Sequence, residues 1–228
     1  MNLLIKLPAI AITLFAIAAH LLAEENELPS LDELKRLHIE ENGGQYNFNK
    51  LNSVYASGRI LHYSADDTIE RSFRIYKKKP NKFRSFYETK DTKKIVQREV
   101  ICDGENAIQI FSHGGREVFR EKLEGDALEA VKLESRLEGP FLLAMEKDKQ
   151  SIKIIGYEYL EGEKCILLHI DEGSQLPYRK IWISMNNYQE IKFDRISKKQ
   201  GEEQLEEVFF SNFKNMQGIV LSSRTDKF

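Results

Sequence analysis

Residues 69–88 read Ile-Glu-Arg-Ser-Phe-Arg-Ile-Tyr-Lys-Lys-Lys-Pro-Asn-Lys-Phe-Arg-Ser-Phe-Tyr-Glu. Apolar and charged side chains alternate through Phe73-Arg74-Ile75-Tyr76, the rhythm of a strand whose successive side chains point to opposite faces. Pro80-Asn81 interrupts the rhythm, which resumes from Lys82, so the stretch predicts two antiparallel strands joined by a tight turn.

The same pattern extends both ways. Before and after the hairpin, strands are expected at residues 53–63, 69–78, 82–88, 95–102 and 107–111, separated by turn residues at Ala65-Asp66-Asp67, Pro80-Asn81, residues 89–93 and Asp103-Gly104-Glu105-Asn106. Strands resume at 151–159, 164–170, 178–185, 189–196, 204–212 and 218–223, with turns at Glu161-Gly162-Glu163, Met185-Asn186-Asn187 and residues 198–201. Between the two runs, residues 124–137 lose the alternation. Ala127, Leu128, Val131, Leu133 and Leu137 instead give an imperfect helical stripe, which Gly139-Pro140 ends, and Phe141-Leu142-Leu143-Ala144-Met145 continues apolar. At the front, Ser30-Leu31-Asp32-Glu33 has the form of a capping box, and Leu31, Leu34, Leu37 and Ile39 follow at helical spacing up to Gly43-Gly44.

The expected fold is therefore mainly β with α: about eleven antiparallel strands in a strongly curved sheet or incomplete β-barrel, covered by short helices. Twist accumulates in a sheet of this size, and exposed edges favour curling. No linker or fixed-period repeat divides the chain, so residues 24–228 are expected to form one domain.

Residues 1–23 read differently. A start carrying Lys6, an almost unbroken apolar run and Ala19-His20-Leu21-Leu22-Ala23 before Glu24-Glu25 have the layout of a signal peptide cleaved after Ala23. The run is short for a membrane span. Export to the periplasm follows as the expectation, and with it an environment where Cys102 and Cys165, the only thiols, could pair. Their spacing leaves a bridge and two buried free thiols both open.

Thirty-four basic residues against 36 acidic ones give a net charge of -2, which offers no global attraction for nucleic acid. His38, His62, His113 and His169 are well separated and stand at no metal-ligand spacing from one another or from a cysteine. No nucleophile elbow is present, Gly114-Gly115 reads as a hairpin turn, and the acidic pairs such as Glu206-Glu207 read as solvated strand faces. No catalytic residue, cofactor or metal is expected. Lys77, Lys78, Lys79, Lys82 and Arg84, interleaved with Tyr76, Phe83 and Phe86, form the strongest basic patch. It suits an anionic membrane surface or an acidic partner, and equally lysines that keep an edge strand from aggregating.

Three stretches resemble the LolA/LolB-like superfamily of periplasmic lipoprotein-sorting proteins. Ile75-Tyr76-Lys77-Lys78-Lys79-Pro80-Asn81-Lys82-Phe83-Arg84 is similar to its strand, basic-Pro-Asn turn, strand passage, and residues 101–111, from Ile101-Cys102-Asp103-Gly104 to Phe111, to its Asp-Gly hairpin. Leu137-Glu138-Gly139-Pro140-Phe141-Leu142, followed by Ile154-Ile155-Gly156-Tyr157-Glu158 and Glu163-Lys164-Cys165, looks like the second half of shorter members. The resemblance implies a half-open barrel with a helical lid, residues 124–145, over an apolar cavity that holds acyl chains. It implies a monomeric carrier moving lipid or lipoprotein acyl groups from an inner-membrane donor to an outer-membrane acceptor. Under it, Phe73, Ile75, Phe83, Ile108, Ile110, Ile181, Ile183, Ile191, Phe193 and Phe210 would line the cavity, and Lys79, Leu128, Val131 and Leu142 would form lid and latch. Family carriers often place Arg where Lys79 stands, and an ammonium lacks the rigid fork of a guanidinium. The same inward residues would equally make a packed core, and a sensor or protein-interaction module without cargo is the alternative function.

Overall fold

The computed structural model describes residues 28–63, 68–91, 94–199 and 202–228. The expected leader, the turn at Ala65-Asp66-Asp67 and parts of the turns at 89–93 and 198–201 lie outside the described residues.

Among the described residues, twelve strands form two six-stranded antiparallel meanders, each with its strands in sequence order. Sheet 1 comprises β1 (Ser53–Tyr63), β2 (Thr68–Lys78), β3 (Lys82–Asp91), β4 (Lys94–Cys102), β5 (Ala107–His113) and β6 (Arg116–Leu123). Sheet 2 comprises β7 (Ile152–Leu160), β8 (Glu163–Ile170), β9 (Tyr178–Ser184), β10 (Glu190–Lys199), β11 (Glu202–Met216) and β12 (Ile219–Lys227). The α-helices among the described residues are α1 (Leu31–Glu41), α2 (Gly44–Lys50), α3 (Gly125–Glu134) and α4 (Pro140–Lys147). The mainly β class with short helices is as the alternation indicated, and neither meander closes into a barrel. The additional strand is β6, which Gly114-Gly115 turns back onto β5.

By packing, the chain divides into two compact units, one of Gly43–Lys147 with Asn212–Ser223 and the other of the remaining described residues. In the first unit, Phe83, Val100, Cys102, Ala107 and Leu123 of sheet 1 form a buried core with Val131 of α3, and Ile75 and Leu128 pack against it. The turns that order these strands are chemically explicit. Asn81 supplies the left-handed residue of the β2–β3 turn at φ 55°, a conformation Asn tolerates. The Asp103 carboxylate accepts from the backbone N–H groups of Glu105 and Asn106 at 2.9 and 2.8 Å, closing the β4–β5 turn. Asn47 of α2 donates to the Gly43 and Gly218 carbonyls, where a side chain at Gly43 would collide with Gly218.

In the second unit, Ile166, Leu168, Ile181, Ile183, Phe193 and Val208 share the most buried face of sheet 2. Ser30 caps α1 by accepting from the Glu33 N–H. His38 of α1 hydrogen-bonds through Nδ1 to the Tyr188 carbonyl at 2.7 Å, and its Nε2 lies 3.8 Å from Glu190. Burial holds the His38 imidazole below its ordinary range, against the opposing pull of that carbonyl. Cys102 and Cys165 are both free and buried. Among the described residues, no helix is long and apolar enough to cross a membrane.

Candidate functional site

Register assigns each side chain of sheet 1 to a face, because residues directly opposite across antiparallel strands point the same way. On the face that carries α3, one rung is Val54, Lys77, Phe83, Cys102, Ala107 and Leu123. The next holds Ile75, Ser85, Val100 and Gln109, and the third Gly58, Phe73, Tyr87, Arg98, Phe111 and Phe119. The first two rungs contain the core under α3. The third is outside that core: Phe73 and Phe111 are half-buried, and Phe119 is 51% exposed. The Phe111 and Phe119 rings lie 6.2 Å apart, and the Phe73 ring lies over Gly58, where a Cβ would come within 3.0 Å of it. The rung beyond holds Ile60 and Val96 with Arg71 and Thr89 between them. An aromatic strip thus continues the lid-side core beyond the helix that covers it.

Of the expected lining residues, Phe73, Ile75 and Phe83 come together on this face. Ile108 and Ile110 do not: they pair with Ile101 and Glu99, and so point to the opposite face of sheet 1. The physical reason is parity, since Ala107 and Gln109 take the inward positions, 1% and 8% exposed, opposite Cys102 and Val100. Ile181, Ile183 and Phe193 share a face of sheet 2 with at most 5% exposure, and the Phe210 ring sits 5.5 Å from Phe193. Ile191 falls at the bulge between Glu190 and Lys192, where the ladder skips a residue.

The segment 124–145, expected as a lid, is held on sheet 1 by more than apolar contact. Leu128 and Val131 pack on the core, while Leu142 is buried within α4. The Lys77 ammonium donates to the Arg136 carbonyl at 3.2 Å, in the linker between α3 and α4. Burial pulls that ammonium below the ordinary lysine range, and the Glu134 and Glu138 carboxylates oppose the shift. Lys79 stands 3.9 Å from Glu138, a looser partly exposed contact, and Arg136 bridges Glu138 at 3.0 Å and Glu146 at 2.5 Å. Of the two lysines, Lys77 makes the direct hydrogen bond to this linker, and Lys79, expected as the latch, makes the looser contact. The sequence signal for Lys77 was parity: it shares the face of Phe73 and Ile75.

Glu134 also raises the Tyr87 phenol, after burial as the larger cause. Arg98 donates to Gln109, and Gln109 to Glu121, so these three are paired with one another. His62 and His113 are exposed at strand ends, and His169 lies 3.9 Å from Asp171. Among the described residues, no three His, Cys, Asp or Glu side chains are grouped to hold a metal ion.

No family model matches the chain, and no curated protein matches it. Two solved structures are similar. A DUF1329 family protein from Desulfovibrio piger superposes with a TM-score of 0.53 at 14% identity, covering 88% of this chain and 87% of that one. A LolA superfamily protein from Nitrosomonas europaea gives a TM-score of 0.44 at 15% identity, over 77% and 76% of the two chains. The chain shares the fold of the DUF1329 family protein over most of both lengths, and at that identity the likeness concerns fold alone.

Proposed function

We propose that the chain is a periplasmic carrier, exported by cleavage of residues 1–23, whose single domain of residues 24–228 shelters acyl chains during transport across the envelope. The observation that carries this reading is the aromatic strip of Phe73, Phe111 and Phe119, which prolongs the lid-side core of sheet 1 beyond α3. Each methylene that leaves water against such a strip contributes about 0.8 kcal/mol, so a chain of ordinary length binds without any polar recognition. Ile75 and Phe83 form the inner end of the site, beneath Leu128 and Val131.

The segment 124–145 acts as the lid. Lys77 and Lys79 tie its linker down in the closed state, and ligand entry exchanges the packing of Val131 in the core for contact with the acyl chain. The donor is an inner-membrane component and the acceptor an outer-membrane one. Recovery of the mature protein with lipid by native mass spectrometry, together with displacement of a fluorescent fatty acid, tests the proposal. Clean apo protein that displaces none would favour the interaction module instead.

A further inference from the structure

Lys77 and Lys79 are engaged by the lid linker, whereas Lys78 and Lys82 are not. Lys78 and Lys82 are direct partners across the β2–β3 hairpin and point away from α3, both exposed. Ser53 stands opposite Lys78 in the same rung, and the adjoining rung holds Tyr55, Tyr76 and Arg84. Among the described residues, no carboxylate forms an ion pair with either lysine. Like charges set directly opposite destabilise a strand pair. Edge protection does not account for them, because β2 and β3 are interior strands of sheet 1.

Beside them is a shallow, open groove of about 380 Å³ with a mainly apolar lining, which includes Val54, Phe83 and Ile101, and Ser53, Tyr55, Tyr76, Lys78, Lys82 and Arg84 bring the polar groups to it. At about 30 Å³ per water molecule it has room for a phosphate together with a small organic group. The Tyr55 and Tyr76 rings lie 4.8 Å apart, both substantially exposed, offering an apolar wall with hydroxyls at its rim. Glu99 holds the Nε of Arg84 at 2.6 Å, which fixes the guanidinium while its terminal nitrogens remain donors.

We propose that this groove binds a phosphate group carried on a small glyceryl or ring-bearing moiety. Lys78 and Lys82 supply the compensating charge, the Ser53 hydroxyl and Arg84 supply hydrogen bonds, and the tyrosine pair packs against the organic part. The anion relieves the repulsion between the two lysines. Lys78, Lys82, Tyr55, Tyr76 and Arg84 project from the face of sheet 1 opposite α3, away from the strip of Phe73, Phe111 and Phe119. A free phosphoester and the headgroup of an anionic phospholipid present the same chemistry.

Two binding measurements on the mature protein separate these sources: calorimetric titration with glycerol 3-phosphate, and flotation with phosphatidylglycerol vesicles. Variant Lys78→Gln/Lys82→Gln is expected to lose at least tenfold in affinity, with a melting temperature unchanged or raised. The charge-matched Lys153→Gln/Lys214→Gln control is expected to stay within twofold, and Lys78→Arg/Lys82→Arg to retain binding. Binding of glycerol 3-phosphate assigns the free phosphoester, and vesicle binding alone assigns the headgroup. Silence of the wild type towards both probes overturns the proposal. So does an equal loss in the control pair, or a loss in the arginine variant. Fatty-acid displacement measured on the same samples reports separately on the lid-side site.

Discussion

The two sheets have the same topology and different burial. Both are six-stranded meanders with their strands in sequence order. Sheet 2 devotes a face to closed packing, with Ile166, Leu168, Ile181 and Ile183 wholly inaccessible. Sheet 1 is closed only in the two rungs beneath α3, and its third rung passes from half-buried Phe73 to exposed Phe119. A face filled by its own side chains is framework, whereas an apolar face that outruns its cover has contact surface left to offer. Substitutions should therefore divide by sheet.

The largest effect is expected from Phe193→Asp in sheet 2, where a carboxylate would replace a ring in contact with Tyr178 and Phe210. An unpaired charge there should abolish cooperative folding, read as loss of the thermal transition by circular dichroism. Next is Phe83→Ala, which empties the core under α3 and should cost roughly 3–5 kcal/mol in chemical denaturation. A cost below about 1 kcal/mol there would mean that the lid-side core collapses readily, and the contrast between the sheets would shrink.

Acidification should weaken the second unit through a defined group. His38 is held below its ordinary value of 6.5, so the unfolded chain binds the proton more tightly than the folded one. This contribution to stability is intact above pH 6.5 and is lost as the pH falls from there towards the depressed folded value. His38→Gln should flatten that slope in denaturation curves taken between pH 7 and 5.

The smallest effect is expected at the latch. Lys77→Met removes one hydrogen bond to the Arg136 carbonyl together with the cost of burying an ammonium, so stability should move by less than about 1 kcal/mol. Amide exchange across residues 135–138 should nevertheless quicken. In the wild type, packing of the α3–α4 linker on Lys77 should strengthen as the pH rises towards 10.5, because the buried ammonium holds its proton less tightly. The variant should lack that dependence.

Alternation and turn chemistry made most of this architecture legible. Lys79-Pro80-Asn81 and Asp103-Gly104 mark hairpins by residue type alone, and the helical stripe of Leu128 and Val131 marks the cover. β6 was hidden because five of its eight residues are charged, as an edge strand with an exposed face allows. α2 has no apolar stripe, and its Asn47 bonds to Gly218, a partner 171 residues away. Parity within a strand was legible, but which parity faces the lid was not. Ile108 and Ile110 look like core by size, yet the register set by Cys102 and Val100 turns Ala107 and Gln109 inward.

The most direct test of the acyl-binding strip is fluorescent fatty-acid binding by the wild type, Phe73→Asp and Phe119→Asp, with melting temperatures measured on the same samples. Tight binding by the wild type, lost at least tenfold in both variants while each melts within a few degrees of it, is the expected result. A wild type that binds no fatty acid, or variants that bind as it does, would contradict the assignment of this strip as the ligand site.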